Sequence, residues 1–190
     1  MNSKLFWILI AVVAVVIRLL PHAPNLAPMG ALAIMAGLHL PRKWALVVPL
    51  IISLAADLFL GLVPILSWVY LSYVMMIWSS LFSQRLFSRH HYTTLVSLSL
   101  AGSFCFYLVT NFGVWIAGSM YDKSLAGLMQ SYTMAIPFFR NTVIGDLLFV
   151  LVLSSLYSLV VNPHKNNKIS PTVAPSTPIN FLGVRSSLKR

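Results

Sequence analysis

Ile136-Pro-Phe-Phe-Arg-Asn-Thr-Val-Ile-Gly-Asp146 opens the last long apolar run of the chain, and the rest is read outward from it. As a helix it places Arg140, Asn141, Thr142 and Asp146 within about two turns. The chain is 58% apolar and holds three acidic residues, one of them in this stretch. An ionisable side chain at mid-bilayer costs roughly 2.5–3.5 kcal/mol on insertion scales, so such a residue generally has a partner or a task.

Composition sets the class. Only 8% of the 190 residues are charged, against about 25% in a soluble domain, and mean hydropathy is +0.86. The expectation is an all-α polytopic membrane protein, a six-helix bundle over residues 1–161, with a disordered basic cytosolic tail over 162–190. The net charge of +10 comes from basic residues scattered at the ends of apolar runs. That is a pattern of topology signals in a lipid bilayer and excludes a nucleic-acid face. The single cysteine, Cys105, lies inside an apolar run, which excludes a disulfide framework and a zinc pattern. No phosphate-binding Gly-rich loop with its lysine occurs, so no nucleotide motor is expected in this chain. No metal, cofactor or enzymatic activity is expected.

The apolar runs give the spans Leu5–Leu20, Met29–Leu40, Trp44–Leu62, Pro64–Phe82, Thr94–Ala117 and Phe138–Val161. Between the first two, Pro21 to Pro28 carries three prolines and reads as an ordered loop. Met29–Leu40 is rich in small residues, and Ala33 and Gly37 allow close helix approach. Twelve residues are short for a crossing unless the helix starts inside the proline loop. Gly118–Pro137 reads as a second long loop. Lys4, Arg42, Lys43, Arg85 and Arg89 fall on one side with the tail lysines and arginines, while Arg18, Lys123 and Arg140 fall on the other. This asymmetry puts both termini in the cytoplasm, in an inner-membrane protein.

Depth can then be counted at 1.5 Å per residue. Arg18 lies roughly 3 Å, Asp57 roughly 7 Å, Asn111 roughly 9 Å and Asp146 roughly 12 Å below the outer ends of their helices. Arg140 and Asn141 sit near the rim. Four helices thus direct their strongest polar groups to one outer layer. One reading is an outward pocket roofed by the two loops, with Arg18, Asp57, Asn111, Arg140 and Asp146 as its polar groups and Tyr107 and Trp115 as walls. The other is a strut, in which Arg18 and Arg140 pair with Asp57 and Asp146 and hold a non-transporting scaffold together. A third, an aspartyl intramembrane protease using Asp57 and Asp146, lacks the Gly-rich signature of that chemistry, and both carboxylates lie too near the outer face. His22 reads as a solvated loop residue rather than a metal ligand, His39 as an interfacial histidine and His90-His91 as cytosolic loop residues.

The stretches Arg18-Leu-Leu-Pro-His-Ala-Pro-Asn25, Pro28-Met-Gly-Ala-Leu-Ala33, Asp57-Leu-Phe-Leu-Gly61, Asn111-Phe-Gly-Val-Trp115 and 136–146 resemble those of a family of small, uncharacterised bacterial membrane proteins. That family looks like the substrate-binding S-components of energy-coupling factor (ECF) transporters, and the resemblance covers roughly residues 5–160. It implies a six-helix protein that captures a vitamin-like micronutrient on the outer side. Delivery then passes through a transmembrane T-component and two ATPase subunits. The ligand-binding residues expected are Arg18, Asn25, Asp57, Tyr107, Asn111, Trp115, Arg140, Asn141 and Asp146. Two features depart from the pattern. Ala11 and Ala14 are three apart where S-components often carry Ala-xxx-Ala, and the Met-Asn-Ser start differs from the Met-His of the nickel and cobalt members.

Overall fold

A computed structural model describes residues 2–21 and 23–161; His22 and the tail expected over 162–190 lie outside the described residues. The chain is all-α, with no strand among the described residues. Its helices are α1 (Ser3–Leu19), α2 (Met29–His39), α3 (Arg42–Leu60), α4 (Leu66–Phe82), α5 (Gln84–Arg89), α6 (His91–Ala117) and α7 (Leu125–Val161). Three of them, α3, α6 and α7, are long and apolar enough to cross a membrane, and α2 and α4 are shorter apolar helices.

The centre of the bundle is α2. Every residue from Met29 to Leu38 is buried, and the helix packs on α3, α4, α6 and α7. A helix that is apolar all round must be enclosed. Its small residues let the neighbours come close: a Cβ on Gly37 would lie 2.6 Å from Ser80 Cβ and 2.7 Å from the Ile77 carbonyl oxygen of α4. At 11 residues α2 is about 16 Å long, half of a hydrocarbon core, and it begins after Pro28 rather than inside the proline loop.

The outer surface is the reverse of a soluble one. Ile8, Val12 and Val16 on α1, Leu58 and Phe59 on α3 and Phe82 on α4 are all exposed. Soluble monomers seldom present so continuous an apolar surface. Lipid is its natural solvent.

The loop expected over 118–137 is corrected. It is confined to 118–124, and α7 runs unbroken from Leu125 through Pro137 to Val161. Gly127, Ser131 and Ala135, four apart, form one buried stripe, and α7 packs along α6. The Tyr107 hydroxyl donates to the Tyr132 carbonyl at 2.8 Å, and the Tyr132 hydroxyl to the Leu108 carbonyl at 2.9 Å. These tertiary contacts hold the helix through the proline, whose missing N–H would otherwise favour a break. The first turn of α6 also reaches back to His91, with α5 inserted before it.

At the end of the bundle that carries α5, an aromatic cluster fills the gap between α1, α2 and α7. Phe6 and Tyr157 meet edge to face at 5.2 Å, and His39 lies 4.2 Å from the Tyr157 ring. That end is closed by side chains.

Because Gly37 meets α4 backbone, Gly37→Ala is expected to destabilise the protein by about 1–3 kcal/mol. A lowered melting temperature in detergent, with Ala33→Gly as the smaller effect, checks this.

Candidate functional site

At the opposite end, α1 finishes with Arg18 in its last turn and α3 carries Asp57 near its end, so a cation and a carboxylate meet. Arg18 Nη2 donates to Asp57 Oδ1 at 2.6 Å, and the Tyr70 hydroxyl donates to Asp57 Oδ2 at 2.7 Å. The Asp57 side chain is 3% exposed and that of Arg18 17%. A carboxylate this deep needs both partners, since removing one leaves a buried charge without compensation. Tyr73 of α4 lies within hydrogen-bonding reach of the guanidinium as well. Arg18 Nε, also buried, has no partner among the described residues.

Asp146 is held quite differently. Its Oδ2 accepts from the Ser103 hydroxyl of α6 at 2.7 Å, and its carboxylate meets the Ala31 backbone N–H. Ala31 is the third residue of α2, whose N-terminal Pro28 offers no side-chain cap. The first N–H groups of a helix have no partner within it, and the helix dipole favours negative charge there. Asp146 of α7 therefore caps α2 from outside. The approach requires Gly30, because a Cβ at that position would overlap the Asp146 carboxylate.

The proline loop lies across this layer. Asn141 Nδ2 donates to the Pro24 carbonyl at 3.1 Å, and Leu26 rests over Gly145 of α7. Asn25 turns the loop with φ +63°, a left-handed conformation that asparagine tolerates better than most residues.

Under the loop are two adjoining cavities. One of about 110 Å³ is bordered by Arg18, Gly30, Tyr73 and Asp146. The other, of about 210 Å³, is bordered by Tyr107, Asn111, Phe138 and Phe139. Asn25, Val69, Phe106 and Thr142 line both. Their combined size is at the low end of small-molecule sites, roughly 300–1,000 Å³.

The nine residues singled out in the sequence thus divide. Arg18, Asn25, Tyr107, Asn111 and Asp146 border the cavities. Asp57 stands behind Arg18 and fixes it, and Asn141 anchors the loop. Trp115 is not among the cavity walls. Its Nε1 donates to the Asp122 carbonyl at 2.9 Å, and Lys123 Nζ donates to the Trp115 and Gly118 carbonyls, which knits the 118–124 loop together. Arg140 is exposed and does not pair with Asp146. The second Arg–Asp pair of the strut reading is absent among the described residues, and Asp146 meets the α2 N-terminus instead. Sequence reading missed the parts played by Gly30, Tyr70, Tyr73 and Phe106. Ser103 was visible as the first member of a stripe with Tyr107 and Asn111, but its partner was not.

Breaking the ion pair from either side, by Arg18→Gln or Asp57→Asn, is expected to cost about 3–5 kcal/mol. The double variant should lose clearly less than the sum of the two, and a double-mutant cycle of melting free energies measures the coupling. Asp146→Asn keeps a cap of lower charge and should cost less than Asp146→Ala in the same assay.

No curated protein and no solved structure matches this chain. One family does, over residues 1–170, well beyond half of the sequence. The chain belongs to DUF6580, a family of unknown function.

Proposed function

We propose that the protein is a substrate-binding membrane subunit of an ECF-type uptake transporter, capturing a small, vitamin-like molecule from the outer side. In this reading the chain crosses the bacterial inner membrane six times, with both termini in the cytoplasm. Helices α1, α3, α4, α6 and α7 each make one crossing, and α2 with the proline loop makes the sixth. Cargo would pass to a T-component driven by two ATPase subunits.

The observation that carries the reading is the cavity pair at the Arg18 end, set against the aromatic closure at the α5 end. Irregular backbone within a membrane protein is tolerated where it is buried in protein or lines a cavity, and the proline loop lines both chambers through Asn25. A short interrupted helix whose N-terminus faces a chamber is also the arrangement by which membrane transporters present backbone dipoles to polar cargo. Arg18, aligned by Asp57, would donate to the ligand. Asp146 and Asn25 would complete the polar end, and Phe106, Phe139 and Tyr107 would pack against the ligand body.

One observation favours the alternative of a non-transporting scaffold: Asp57 has both of its oxygens satisfied by protein. The two are separated by mass spectrometry of small molecules released from protein purified in mild detergent. Val69→Phe, which fills the wall common to both chambers and leaves the ion pair alone, is measured alongside. The uptake reading expects one defined compound near one per protein, lost in Val69→Phe without a fall in melting temperature. Failure to recover any compound from either protein, with no T-component or ATPase co-purifying, would leave the scaffold.

A further inference from the structure

The polar groups of the outer cavities are distributed unequally, and the inequality points to the class of ligand. The 110 Å³ chamber is bordered by Arg18, whose guanidinium carries only donors, and by Asp146. In the 210 Å³ chamber four polar side chains other than Asn25 donate to backbone carbonyls. Thr110 donates to the Phe106 carbonyl, Thr142 to the Phe138 carbonyl, the Asn111 amide to the Tyr107 carbonyl and the Tyr107 hydroxyl to the Tyr132 carbonyl. What that chamber offers a ligand is chiefly the faces of Phe106, Phe138 and Phe139.

Beyond it, Ile65 and Val114 also line a third hollow of about 460 Å³, between the α3–α4 connection and the end of α6. Val63, Pro64, Ala117 and Met120 make it almost wholly apolar. Met120, at 76% exposed, marks its open side. Three spaces that share walls therefore run from a buried polar end to an exposed apolar one.

We infer that these spaces form a single path for an amphipathic ligand, with a neutral amide-type head between Arg18 and Asp146 and an apolar tail reaching the groove at Ile65 and Val114. The inference rests on the binding site proposed above and names its substrate class. The head must accept a hydrogen bond, because the Arg18 guanidinium that borders the chamber carries only donors. It must also suit a chamber where one guanidinium stands against two carboxylates, Asp146 in the wall and Asp57 behind Arg18. A carboxylate head would meet Asp146 as a like charge, and an ammonium head would meet Arg18 as one. A neutral group bearing both a donor and an acceptor answers both.

The test is equilibrium binding of radiolabelled decanamide, decanoate and decylammonium to the full chain in lipid nanodiscs, with empty nanodiscs subtracted. Decanamide is expected to saturate near one per protein, at least tenfold more tightly than the other two. Acetamide should compete at least tenfold more weakly than decanamide. Ile65→Trp, which narrows the wall between the aromatic chamber and the groove, should weaken decanamide about tenfold and leave the acetamide constant and the melting temperature unchanged. Decanoate or decylammonium binding as tightly as decanamide overturns the head assignment, and affinity independent of chain length overturns the tail. If the purified protein releases a defined compound that decanamide does not displace, the amphipathic assignment fails while the binding-site reading stands. Absence of both a released compound and probe binding sinks the two together.

Discussion

The N-terminus of α2 is buried in protein, and the arrangement of the polar layer around Arg18 and Asp146 follows from satisfying it. The ten residues from Met29 to Leu38, enclosed by protein, leave little water for the first N–H groups, and Pro28 contributes no side-chain acceptor. Asp146 supplies the acceptor from α7, Ser103 of α6 holds Asp146, and Gly30 provides the space for its approach. One carboxylate thereby ties three helices together at one depth. Moving α7 by a single residue would turn Asp146 away from α2 and place Gly145 or Leu147 against Gly30.

The ion pair of Arg18 with Asp57 does the corresponding work for α1 and α3, with Tyr70 of α4 as third member. Burial raises the cost of either charge alone and so makes the geometry of the pair specific. The two carboxylates are thus held by different groups, one by a cation and a phenol, the other by a helix end and a serine. Between these two fixed points the side chains do not close, and a chamber remains beside Arg18 and Asp146. The structural and ligand-binding readings of the charged layer are compatible on this view, since fixing Arg18 is also what would orient it.

The opposite ends of the bundle differ in how they are sealed. Aromatic rings and two histidines fill the α5 end, where Phe87 and His91 pack 4.4 Å apart and His91 Nε2 meets the Ser154 hydroxyl. The Arg18 end is covered instead by a loop of prolines and a left-handed asparagine, pinned through Asn141 and Gly145.

Much of this was present in the residues. Apolar runs bounded by basic residues and prolines marked α1, α3, α4 and α6 to within a few positions, because length and hydropathy alone decide whether a segment prefers lipid. The concentration of Arg18, Asp57, Asn111 and Asp146 at one end was also legible, since rise per residue converts sequence position into depth. Which of those groups touch was not. Arg18 chose Asp57 over Asp146, Asp146 took a backbone N–H and Ser103, and Trp115 and Arg140 turned away from the cavities, because rotation of each helix about its axis is set by packing with its neighbours. Helix through Pro137 was likewise decided by the tyrosine and small-residue contacts of α7 with α6. Composition and order along the chain determined where polar groups lie in depth; only tertiary packing determined their azimuth, and with it the cavities and the partners.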